Sequence, residues 1–147
     1  METNLIFLII LCIAFNVSIK LILRNLRHHF IGVDSMPAAP IIAGYLYGFS
    51  SGLWTGVIVS ISYYLISSKN LSYAPLMIIT NALIGAFSVF FAGWTFIPAG
   101  ILLLFIYHIL SLVIVSIISQ PKPGYFTFII LNFITTSVII YFTSLFL

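Results

Sequence analysis

Apolar residues along this chain come in long unbroken runs separated by short polar punctuation, with neither strand-like alternation nor a single helical stripe. Residues 5–23 form the first run, closed by Arg24, Arg27, His28 and His29. A helix needs ~20 mainly apolar residues to cross ~30 Å of hydrocarbon, so this run predicts a span with a basic end in the interface. Gly32, Asp34 and Pro37 then mark a turn. Residues 71–92 predict the next clear span, between Lys69-Asn70 and Gly93-Trp94. Residues 95–119 and 125–147 predict two more, with Gln120-Pro121-Lys122-Pro123-Gly124 between them as the strongest loop signal in the chain.

Residues 37–68 do not fit this scheme. As one helix, these 32 residues would be about 48 Å long, too long for a single crossing without severe tilt. Gly48-Phe49-Ser50-Ser51-Gly52 lies in the middle and is the natural place to break. A break gives six helices and an unbroken segment gives five. Charge placement favours the break, because six spans put Lys20, Arg24, Arg27, Lys69 and Lys122 on one side of the membrane. Five would place Lys69 and Lys122 opposite the others, against the positive-inside rule. The expected fold is therefore all-α and integral to the membrane, a polytopic bundle of six transmembrane helices (five if residues 37–68 form one helix) in a single domain over 1–147. The rule puts the basic side in the cytoplasm and both termini outside.

Composition explains why lipid must be the solvent. The chain is 63% apolar and 5% charged, whereas soluble domains are about a quarter charged. Seven charged side chains cannot cover a soluble globule of 147 residues, and a multi-pass protein of the cell membrane is expected. The acids are Glu2 and Asp34 alone, so the net charge of +3 reflects missing carboxylates more than abundant bases. Nucleic-acid binding would need a basic stripe, which five scattered Lys and Arg do not make. The first apolar run lacks a preceding Lys or Arg and a following small-x-small cleavage site, so it reads as a retained helix and not as a signal peptide. The single cysteine, Cys12, can form no internal disulfide.

Within the apolar runs, small residues recur every fourth position: Gly44, Gly48, Gly52, Gly56 and Ser60. On helices this glycine-zipper spacing lines one face with residues that let a neighbouring backbone approach closely. The expectation is internal helix packing, with a subunit-docking face or a backbone-lined cavity as alternatives. Ala14-x-x-x-Ser18 and Asn81-x-x-x-Gly85 are weaker instances, and Ile139 reads as lipid-facing.

Polar residues inside the spans are the candidates for chemistry. His108, between Tyr107 and Ser111, and the amides of Asn16, Asn81 and Asn132 must find partners inside the bundle or line a cavity. If the four converge, they make a polar pocket for a small molecule. Gly48-Phe49-Ser50-Ser51-Gly52 also matches G-x-S-x-G, but a serine-nucleophile elbow needs a strand-to-helix turn and acid and base partners. His28-His29 with Asp34 lacks a spaced third ligand for a metal. No paired carboxylates, Cys-x-x-Cys, phosphate loop or nucleotide fingerprint occurs. No catalytic residue, cofactor or metal is expected, and an enzyme is not.

The segment 36–91 resembles the substrate-binding S components of energy-coupling factor vitamin transporters. The likeness lies in Met36-Pro37-Ala38-Ala39-Pro40, in Gly44, Gly48, Gly52 and Gly56, and in a proline-opened helix from Ala74-Pro75 through Asn81 and Gly85. At this level the chain is also similar to the cell-shape membrane protein MreD. The first resemblance implies a ligand pocket near one membrane face, capped by the loops between helices 1–2, 3–4 and 5–6. It also implies a first helix that offers Ala14 and Ser18 to a transmembrane partner subunit served by a separate ATPase. It implies termini in the cytoplasm, opposite to the positive-inside placement; in that orientation Arg24, Arg27, Lys69 and Lys122 would ring the pocket mouth and favour an anionic ligand. The functional expectation is a vitamin-like small-molecule uptake subunit. It would rely on a partner for energy, because the sequence offers neither a nucleotide motif nor an apparent membrane-buried acid. The alternative is a non-catalytic structural or accessory subunit of a larger membrane complex, including an MreD-like role in cell shape.

Overall fold

The computed structural model describes the backbone of residues 2–25, 34–66, 74–118 and 123–147, and the side chains of 3–22, 34–65, 74–118 and 124–147. Arg27, His28, His29, Lys69, Lys122 and the Arg24 side chain, and with them the expectation of a one-sided basic ring, lie outside the described residues. The chain forms α1 (Glu2–Asn25), α2 (Ala38–Tyr47), α3 (Phe49–Ile66), α4 (Ala74–Phe87) with a 3-10 extension (Ser88–Phe91), α5 (Phe96–Ile118) and α6 (Pro123–Ser144). No strand occurs among the described residues.

Four stretches are long and apolar enough to cross a membrane: Thr3–Ile22, Ala74–Phe91, Phe96–Ile118 and Gly124–Ser144. The protein is therefore a membrane protein whose outward surface of Phe7, Ile10, Leu65, Phe90, Ile117 and Ile130 side chains suits hydrocarbon. The alternative of one helix over 37–68 fails. The chain breaks at Gly48, whose φ of 94° and ψ of 177° end α2 and allow α3 to start at the next residue. The expectation of six crossings gives way to a coarser statement, because α2 is only 10 residues long. At 1.5 Å per residue it reaches about 15 Å, half a hydrocarbon thickness.

That short helix is the axis of the bundle. Every residue from 34 to 44 is buried, and α2 touches each of the other five helices. A helix apolar on all sides belongs in an interior, which Ala38, Ala39, Pro40, Ile41, Ile42 and Ala43 satisfy. The surrounding helices turn one stripe inward: Ala99, Leu103, Tyr107 and Ser111 on α5, and Asn132, Thr136 and Ile140 on α6. Ile139, read as lipid-facing, instead packs part-buried beside Ala38, Ile42 and Ile140, one position off the α6 inner stripe.

At α2, α3 and α4 three backbones meet at glycines. A Cβ on Gly44 would overlap the Gly85 carbonyl oxygen, and one on Gly52 would overlap the same oxygen and stand 2.7 Å from Gly44 Cα. A Cβ on Gly56 would lie 2.7 Å from Ala82 Cα. Ser60 continues this face and is fully buried. Gly48 belongs to the same four-residue rhythm but not to the packing face. A Cβ there meets nothing within 4 Å, and the residue is glycine because its positive φ disfavours L side chains. The expected helix contact at Gly48 is thus corrected to a turn.

Candidate functional site

The polar centre of the bundle is built around Asp34 and Ser35, immediately before α2. Asp34 Oδ1 accepts the Met36 backbone N–H at 3.0 Å, an Asx turn that leads the chain into α2, and the Asn132 side-chain amide of α6 at 2.9 Å. From α1, Asn16 Oδ1 accepts the Ser35 N–H at 2.8 Å and the Ser35 hydroxyl at 3.1 Å, and the Cys12 carbonyl also accepts that hydroxyl at 3.3 Å. Asn132 lies midway along α6 and Asn16 within the body of α1, so the turn sits deep inside the bundle rather than at its edge. Asp34 is 4% exposed.

This corrects the sequence expectation that no membrane-buried acid is present. The Gly32-Asp34-Pro37 punctuation is a turn, as its residue types imply, but the half-length of α2 carries it into the core. A signal was there to be read. Asp34 is one of only two acids and stands shortly before an all-apolar, proline-led helix, where nothing else in the sequence is charged until Lys69.

Lys20, one helical turn beyond Asn16 on the same face of α1, is the positive member of the site. Its ammonium donates to the Tyr63 carbonyl of α3 at 3.1 Å and lies 3.3 Å from the centroid of the Tyr63 ring. It is thus held against α3 rather than on the Asp34 carboxylate, although the two charges are within electrostatic reach of each other. Tyr63, Tyr64 and Tyr107 also lie within reach of the Asp34 charge. Tyr63 and Tyr64 pack with Cys12, Met36, Val59, Met77 and Val115, which gathers the C-terminal halves of α3 and α5 and the start of α4. The site therefore lies in the half of the bundle where α1, α3 and α5 end and where α4 and α6 begin.

The four in-span candidates divide. Asn16 and Asn132 converge on the Asp34–Ser35 turn. Asn81 donates to the Met77 carbonyl of its own helix at 3.0 Å and lies beside Tyr107 of α5. His108 is buried edge-on to Tyr107 at a centroid distance of 5.2 Å, with Phe133 at 6.0 Å, and neither ring nitrogen has a hydrogen-bond partner among the described residues. It flanks the polar centre through Tyr107 without bonding to it. Arg24 and Arg27, the other tentative ligand contacts, lie outside the described side chains.

Two buried amide atoms at the turn also lack a partner among the described residues, Asn16 Nδ2 and Asn132 Oδ1. Native interiors leave few such atoms, because each costs about 1–3 kcal/mol. They leave one donor and one acceptor open at the turn. On the opposite side of α1, Ala14 and Ser18 are exposed and face away from the bundle. In the G-x-S-x-G stretch, Ser50 is exposed and the Ser51 hydroxyl donates to the Tyr47 carbonyl at 3.2 Å, in a helix-to-helix turn. No cluster of three or more metal-ligating side chains occurs among the described residues.

No family model, curated protein or solved structure matches the chain.

Proposed function

We propose that this protein is a solute-binding uptake subunit of the cell membrane, of the S-component type, with its ligand site at the Asp34–Ser35 turn. The observation that carries the reading is the convergence of α1 and α6 side chains on an irregular, buried segment. Non-helical backbone at membrane depth is tolerated where it lines a site, and a membrane-buried ionisable group is by default a functional candidate. Broken helices that meet near mid-membrane are a recurrent way to build transport sites. The position of the cluster, in the half of the bundle where helices 1–2, 3–4 and 5–6 are joined, agrees with a pocket reached from that face.

In this reading the α2–α3 pair enters and leaves the membrane together, so that the six helices keep the even sidedness of a six-span bundle. The sequence has no nucleotide-binding motif, so the energy for release comes from a transmembrane partner with a separate ATPase. The exposed Ala14 and Ser18 on α1 would supply a close-approach face for it. Those two residues equally suit the alternative of a structural or accessory subunit, which needs a partner but no solute.

The test is recovery of the protein from its own membranes in mild detergent, followed by denaturation and mass spectrometry of what is released. A stoichiometric small molecule that disappears in Asn132→Leu is the expected result. A stoichiometric membrane partner with no released solute would overturn the uptake reading in favour of the accessory one.

A further inference from the structure

The polar turn brings together two opposite charges that form no ion pair with each other among the described residues. Lys20 is tied to the carbonyl and ring face of Tyr63 on α3. Asp34 is tied to the Met36 N–H and to Asn132, both through Oδ1. Each charge is thus anchored on a different element, within electrostatic reach of the other. In a low-dielectric bundle such a pair gains most by direct contact, and holding the two apart forgoes that gain unless something polar lies between them.

The neighbouring unpartnered atoms sort by chemistry in the same way. Asn16, one helical turn before Lys20, is 3% exposed, and its Nδ2 donor has no partner among the described residues. Asn132, bonded to Asp34, is 1% exposed, and its Oδ1 acceptor has none either. The α1 wall therefore presents two sets of donors, an ammonium and an amide N–H. Asp34 and Asn132 present two acceptors, a carboxylate and an amide oxygen. An ammonium has three donor protons, and the Tyr63 carbonyl uses one of them.

We infer that this site binds a small zwitterion of the amino-acid class, its carboxylate on Lys20 and Asn16 and its ammonium on Asp34 and Asn132. An anion alone would leave Asp34 and the Asn132 oxygen unmatched, and a cation alone would leave Lys20 and the Asn16 amide unmatched. Only a ligand carrying both charges satisfies all four groups at once. The inference rests on the uptake reading and names its substrate class.

The experiment is a thermal-shift titration of the purified full chain in detergent. The probes are glycine, L-alanine and γ-aminobutyrate, with sodium acetate and methylammonium chloride as the two half-ligands. The expected result is a saturable rise in melting temperature with at least one zwitterion, at concentrations where neither half-ligand acts. Asp34→Asn keeps an acceptor for the Met36 N–H and for Asn132, so it tests the charge rather than the turn. It should weaken the apparent affinity about tenfold or more, the usual value of a charge-assisted hydrogen bond, and Lys20→Met should do the same. No shift with any zwitterion overturns the inference, as does a half-ligand that acts equally well or an Asp34→Asn protein that responds unchanged. A solute of another class released from the native protein overturns it too, while leaving the uptake reading standing.

Discussion

The glycine junction and the polar turn are two ways of joining helices in lipid, and they sit at opposite ends of the short α2. At the Gly44–Gly52–Gly85 junction, three backbones touch with no side chain between them. At the Asp34–Ser35 turn, hydrogen bonds between the turn and α1 and α6 hold the chain, and Asn16 Nδ2 and Asn132 Oδ1 have no partner among the described residues. Lipid gives helices no hydrophobic reason to associate, so association rests on close packing or on polar contacts. Close backbone packing fixes the helices against one another and suits a scaffold. Partly satisfied polar groups cost stability and suit a site where a ligand completes them. The contrast predicts a rigid α2–α3–α4 frame that carries a chemically unfinished centre.

The largest effect should come from Gly85→Leu. A side chain there meets the Gly52 backbone and the Pro40 ring, neither of which can step aside as a flexible side chain would. A loss of about 3 kcal/mol or more is expected, read as failure to purify as a monodisperse species or as a steep fall in melting temperature. Wild-type-like melting would show that the helices can part without cost and would dissolve the comparison.

Gly48→Ala should cost less, about 1–2 kcal/mol, and for another reason. The new methyl group has open space, so the penalty is the backbone alone, held at positive φ and extended ψ where essentially only glycine is at ease. Gly48→Asn should lose about as much, because asparagine's tolerance of positive φ is confined to ψ of about +45°, far from the 177° found here. A much larger loss for asparagine than for alanine in thermal unfolding would mean that side-chain bulk matters and that Gly48 packs as its neighbours do.

At the polar turn, Asn132→Leu removes one of the two donors on Asp34 Oδ1 and should cost about 1–2 kcal/mol. Asp34→Asn preserves both bonds and should melt within about 0.5 kcal/mol of the parent without ligand. A larger effect for Asp34→Asn than for Asn132→Leu would make the carboxylate a structural cap and weaken the division between frame and site. The smallest effect belongs to Ile134→Leu, a 55% exposed position on the outer face of α6, expected to be silent in the same assay.

The long apolar runs, the near absence of charge and the residue types at the breaks sufficed to predict the membrane, the helical class and the approximate ends of the long helices. Those properties follow from the composition of each segment against hydrocarbon and from local backbone preferences, which a linear sequence carries in full. The stop at Gly48 was legible for the same reason. Its role was not, because a four-residue rhythm cannot distinguish a glycine that packs from one that turns. Only its φ, imposed by the α2–α3 hairpin, separates it from Gly44 and Gly52. Asp34 shows the same limit at larger scale. Next to Gly32 and Pro37 it reads as an interfacial turn, yet α2 is too short to start at the interface and still reach Gly48 where α3 and α4 pack. Tertiary packing therefore draws the turn inward, and with it Asn16, Lys20 and Asn132 become one site. Depth in the bundle depends on which helices lie beside one another, and that is decided by contacts between residues tens of positions apart.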